Sequence, residues 1–119
     1  MTTDYQTLMA LAKSTKHLGA MPNATGHSVA TNASCGDRCE IWVRVEGDTV
    51  VEVTFVATGC VISRAAAAVL AEQAIGPIGR IGPITGSDMR KLLGVNVSPL
   101  RERCLTTALK ALQNAVSSL

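Results

Sequence analysis

The stretch Cys39–Phe55, CEIWVRVEGDTVVEVTF, constrains the fold more than any other part of the chain. Cys39, Ile41, Val43 and Val45 alternate with Glu40, Trp42, Arg44 and Glu46. A period of two with apolar and polar faces predicts a half-buried strand. Gly47-Asp48 supplies a turn, and Val51, Val53 and Phe55 then alternate with Glu52 and Thr54. The two runs predict an antiparallel hairpin. A lone hairpin is marginal in water, so its apolar face needs helices to cover it.

Those helices are legible on either side. Residues 4–17 carry Leu8, Leu11 and Ala12 at helical spacing, with Tyr5 one turn earlier, Thr3 or Asp4 as a cap and Gly19 as a stop. Residues 18–34 are rich in Gly, Pro, Asn, Thr and Ser without a period and predict a loop. Ile62–Ile75 is alanine-rich and predicts a helix ended by Gly76. The repeated IGPI element at Ile75–Ile78 and Ile81–Ile84 reads as a stiff apolar loop, its period being too short for a solenoid. Ser87 is expected to cap a short helix through Leu93 that Gly94 ends, and Ser98-Pro99 opens a last helix running to about residue 117. The order α–β–β–α–α–α implies an α+β fold, a small antiparallel sheet with helices packed on it, as a single domain over residues 1–119. Aromatics are only 3%, so the core is built from Val, Ile, Leu and Ala.

Composition excludes several functions. With 11 basic and 9 acidic residues and no basic run, nothing argues for nucleic acid. No apolar stretch is long enough to cross a membrane, and no basic head precedes an apolar run, so the expected setting is the cytoplasm. There, four cysteines point to metal or sulfur chemistry rather than disulfides.

The cysteines are Cys35, Cys39, Cys60 and Cys104, and none forms a CxxC pair. Cys35, in NASCGD, precedes the first strand, and Cys60, in ATGC, follows the second and precedes a helix. In an antiparallel hairpin these two places lie at one end of the sheet. Cys104 lies in the second turn of the last helix and joins them if that helix begins at the same end. Helix N-termini and Arg38, Arg64, Arg101 and Arg103 are expected to favour thiolate at Cys60 and Cys104. Asp37 adds a carboxylate two residues from Cys35, and a Cys₃Asp set suits zinc or an iron–sulfur cluster. Gly36 and Gly59 allow unusual backbone shapes and close approach beside the thiols. Cys39 faces the core and is expected to be dispensable; His27, in the loop before Cys35, could approach the site but reads as a solvated side chain.

NASCGD, TGCVISRAAA and RERC followed by TTALKAL resemble the U-type iron–sulfur cluster assembly scaffolds, the family of the NifU N-terminal domain, IscU and SufU. The resemblance runs along nearly the whole chain. It implies that Cys35, Asp37, Cys60 and Cys104 hold an iron–sulfur cluster (2Fe–2S or 4Fe–4S) or zinc. It also implies that Cys60 or Cys104 accepts sulfur from a cysteine desulfurase, with recipient apo-proteins downstream and a homodimer as one compatible assembly. Such a protein is a sulfur acceptor rather than a turnover enzyme. The alternative within the family is a SufU-like zinc-dependent sulfurtransferase that stimulates its desulfurase. Arg103 stands where the Isc-type branch has histidine, whereas the insertion typical of Suf-type proteins is missing between Cys60 and Cys104, so the branch stays open.

Overall fold

A computed structural model describes residues 5–119. Its elements are α1 (Tyr5–Ala12), β1 (Gly26–Asn32), β2 (Asp37–Glu46), β3 (Thr49–Thr58), α2 (Val61–Gln73), β4 (Gly76–Pro77), α3 (Gly86–Leu93) and α4 (Pro99–Ser117). The strands form one antiparallel sheet in the order β1-β2-β3-β4. α4 lies on β1 and β2, α2 lies on β3, and α1 packs on α2. The α+β architecture of helices on a small antiparallel sheet is the expected one.

The β2–β3 hairpin forms as its alternation predicts, with Cys39, Ile41, Val43, Val53 and Phe55 buried. One face assignment changes. The register shifts between Arg44 and Val45, so that Arg44 opposes Glu52 and Val45 opposes Val50. The extra residue of this bulge is Val51, and Val50 takes its place in the core. Ala65–Ala68, Leu70 and Ala71 of α2 interlock with Leu105, Ala108, Leu109, Ala111 and Leu112 of α4. The alanines let the helices sit close to each other and to the sheet.

Three expectations give way. The first helix ends at Ala12 rather than running to residue 17, because His17–Gly19 turn to pair with the edge of β3. Phe55 N–H donates to the His17 carbonyl and Gly19 N–H to the Phe55 carbonyl, each at 2.9 Å. The proposed Thr3 or Asp4 cap lies outside the described residues. Residues 18–34 are not all loop, since β1 occupies Gly26–Asn32. Its register places Gly26, Ser28, Ala30 and Asn32 opposite the inward residues of β2, and these small or polar residues fit beneath α4 but give no apolar alternation. Finally, α3 is capped by Thr85 and not Ser87: Thr85 Oγ1 accepts from Asp88 N–H at 3.2 Å, and Asp88 Oδ2 accepts from Thr85 N–H at 2.9 Å. The IGPI segment is held as a stiff connection, with Ile78 N–H donating to the Asp48 carbonyl at 2.8 Å and the Gln113 amide donating to the Gly82 and Ile84 carbonyls.

Candidate metal centre

Three chain crossings meet at one end of the sheet. The β1–β2 turn carries Cys35 and Gly36, and Asp37 opens β2 directly opposite Asn32. Beside it, Arg38 pairs with Thr58 at the end of β3, which delivers Gly59 and Cys60 to the start of α2. α4 crosses this end and inserts Cys104 from its second turn. Cys104 therefore lies on the same side of the sheet as the other two motifs, because α4 begins at that end.

Asp37 is the pivot of the site and only 2% exposed. Its Oδ1 accepts from the Cys60 N–H at 3.1 Å, and its Oδ2 accepts from the Asn32 amide at 3.3 Å. A buried carboxylate demands such donors, since desolvation of a bare charge is costly. Gly59 makes the arrangement possible. Its φ is +122°, and a Cβ there would strike the Asp37 carboxylate and come within 2.8 Å of the Asp37 Cα. Gly36 turns the chain with φ +68°.

The Sγ atoms of Cys35 and Cys104 and a carboxylate oxygen of Asp37 all lie within 4.8 Å of one another. Cys60 stands beside this group and not within it. Its Sγ caps α2 by accepting from the Ser63 N–H at 3.4 Å. Cys35 is exposed, Cys60 half-buried and Cys104 buried, and all are free thiols. The site thus reaches from solvent into the core along the sulfurs.

The thiol chemistry of Cys104 departs from the expectation of a lowered pKa. Burial pushes it up, and hydrogen bonds with Cys60, Asp37 and Cys35 raise it further. Desolvation outweighs the helix dipole because Cys104 has no solvent exposure, whereas Arg101 and Arg103 point outward and are exposed. A soft divalent ion would reverse this by taking the proton's place on sulfur. Two thiols, one carboxylate and a third thiol alongside, with one member open to water, fit zinc or the iron of a cluster by donor type.

The remaining candidates lie elsewhere. Cys39 is fully buried in the core, where burial pushes its thiol up to about 12. His27 Nε2 sits 2.6 Å from Glu40 Oε2, and the ring stacks on Trp42 with centroids 5.1 Å apart. His17 lies 3.5 Å from Glu72. Asn32 is the functional residue that the sequence pattern missed. It ends a strand without alternation, and only the register reveals that it faces Asp37.

The sequence profile described as NifU-like N terminal domain matches residues 4–119. The iron–sulfur cluster assembly scaffold protein IscU of Thermotoga maritima is 35% identical over 60% of this chain and 50% of its own length. The bifunctional protein NifU/MnmA of Rubrobacter xylanophilus is 36% identical over 84% of this chain and 21% of its own length. The zinc-dependent sulfurtransferase SufU of Bacillus subtilis is 29% identical over 72% of this chain and 71% of its own length. The chain thus spans half or less of the first two relatives. A crystal structure from Fervidobacterium islandicum AW-1, described as an iron–sulfur cluster assembly scaffold of the SUF system, superposes with a TM-score of 0.78 at 26% identity, covering 95% of this chain and 96% of that one. A nitrogen-fixing NifU-like protein from Brucella abortus shares the fold, with a TM-score of 0.77 at 12% identity over 94% and 90% of the two chains. The chain belongs to the NifU-like N-terminal domain family, the U-type iron–sulfur cluster scaffolds.

Proposed function

We propose that this protein receives sulfur from a cysteine desulfurase and holds an iron–sulfur cluster, [2Fe–2S] or [4Fe–4S], that is passed on to recipient apo-proteins. The four residues Cys35, Asp37, Cys60 and Cys104 form the binding set. The observation that carries this reading is the convergence of two thiols and a carboxylate within 4.8 Å. The exposure of Cys35 supports it, since a cluster meant for transfer needs a ligand that solvent or a partner can reach.

Each residue has a distinct task. Asp37, fixed by Asn32 and the Cys60 amide, offers a hard oxygen that binds iron or zinc without locking it. Cys60 or Cys104 is the acceptor thiol for incoming sulfur, and the two are near enough for Cys60 to help raise the Cys104 pKa. The domain acts as one unit over residues 1–119 in the cytoplasm. Among the described residues no helix is long and apolar enough to cross a membrane.

A second reading is a zinc-dependent sulfurtransferase. Similarity to the Bacillus subtilis SufU and the arginine preceding Cys104 favour it. Zinc would hold the thiols ionised at neutral pH.

Incubation with a cysteine desulfurase and free cysteine, followed by mass spectrometry of digested protein, tests both readings. Extra sulfur on Cys60 or Cys104 is the expected result. Extra sulfur confined to Cys39, or none, would leave a zinc-stabilised interaction domain as the better account. Metal content and the visible spectrum of protein purified without oxygen separate the two: a sulfide-to-iron absorption band marks the scaffold, and colourless stoichiometric zinc marks the sulfurtransferase.

A further inference from the structure

A groove of about 290 Å³ runs between the β1–β2 turn and α4, on the flank of the thiol cluster. One wall is Thr31–Ser34; the other is Arg103, Thr107 and Lys110. The three helical residues recur at i, i+4 and i+7 and so share one face of α4. Arg103 and Lys110 are exposed, and among the described residues neither takes part in an ion pair. No acidic side chain lines the groove. The Asp37 carboxylate behind it is turned to Asn32 and the Cys60 amide.

We infer that this groove binds a small dicarboxylate, independently of any metal at the thiols. Two unpaired cations facing one concavity call for an anion. Seven residues of helix set their Cα atoms about 10 Å apart along the axis, a spacing that favours two anionic groups over one compact oxyanion. A dicarboxylate spans that distance, with one end taken in a forked contact by the Arg103 guanidinium and the other by the Lys110 ammonium. The Thr107 hydroxyl donates to the Arg103 carbonyl at 2.8 Å, so its proton is used within the helix and the two cations carry the recognition. The volume is at the small-molecule scale, and Ala33 is the only apolar side chain in the lining, which gives a peptide no anchor. Because Ser34 adjoins Cys35 and Arg103 adjoins Cys104, the bound ligand sits at the entrance to the sulfur site.

Titration calorimetry on the full chain at low salt, with suberate, octanoate and inorganic phosphate, tests this. Octanoate matches suberate in chain length but has one carboxylate. Suberate should bind at least about tenfold more tightly than octanoate or phosphate, the scale of one charge-assisted contact. Its affinity should fall several-fold in 0.5 M salt, where charges are screened within about 4 Å. Arg103→Gln and Lys110→Gln should each bring suberate down to the octanoate level while leaving the melting temperature and zinc content unchanged. Equal binding of suberate and octanoate would show adventitious apolar binding and overturn the proposal. So would phosphate binding as tightly as suberate, suberate binding that survives both substitutions, or no heat of binding at millimolar suberate.

Discussion

Asp37 and Cys39 stand two residues apart on one face of β2, and both are buried, but they occupy different media. Asp37 lies where the sheet ends. There a turn, a strand exit and a helix start bring an amide, a backbone N–H and two thiols within reach, with a third alongside. Cys39 lies one rung inward, opposite Ala30 and Ala57, inside a cluster of aliphatic side chains. The difference is one of chain ends. Backbone donors are consumed by the ladder in the middle of a sheet and are free only at its end. The same sheet therefore supplies rigidity at Cys39 and a held carboxylate at Asp37.

The contrast can be broken most sharply at Asp37. Asp37→Ala removes the proposed oxygen ligand and leaves the Cys60 amide without its acceptor. Zinc affinity, measured by competition with a chromogenic chelator, should fall more than about a hundredfold, beyond the loss typical of a supporting residue. A smaller loss would move Asp37 out of the ligand set.

The apolar side of the comparison shows up in alkali. Cys39 titrates near 9.0 when unfolded and at about 12 when buried. With a folded pKa above the unfolded one, the stabilisation is complete below pH 9 and is lost as pH rises toward 12. Metal-free protein should lose about 1.4 kcal/mol of stability per pH unit for this thiol in that window, read by denaturant melts. Cys39→Ala should reduce the slope by about that amount and leave the contribution of Cys104, whose thiol burial also pushes up. An unchanged slope would show that Cys39 is not the buried thiol responsible.

Asn32→Ala tests whether the site depends on support as well as ligands. It removes the amide bonded to Asp37 Oδ2 and should weaken zinc by about tenfold with the fold intact. Unaltered affinity would mean that the Cys60 amide alone orients the carboxylate. The smallest effect belongs to Cys39→Ala at neutral pH, on the order of 1 kcal/mol of stability from the lost sulfur contacts, with zinc binding unchanged. Loss of zinc in this variant would erase the distinction between the two regions.

Much of this contrast is legible in the sequence. The alternation of Cys39–Val45, the alanine-rich α2 and the Ser98-Pro99 start of α4 each carry a local signal, and together they place three cysteines at one end. What escaped depends on tertiary packing. β1 hides because its inward residues are small to accommodate α4, and Asn32 hides with it. Val50 replaces Val51 in the core through a bulge that the turn sequence does not announce. The first helix is cut short because residues 17–19 find hydrogen bonds on β3. The raised pKa of Cys104 follows from complete burial, a quantity that helix position alone does not give.

The account rests on Cys35, Asp37, Cys60 and Cys104 sharing one ion. X-ray absorption at the zinc edge, on protein purified anaerobically and loaded with one equivalent, examines that directly. Three sulfur scatterers at about 2.3 Å and one oxygen at about 2.0 Å are predicted, unchanged in Cys39→Ala and reduced by one sulfur in Cys60→Ala. Four sulfurs falling to three in Cys39→Ala, or a first shell indifferent to Cys60→Ala, would contradict it.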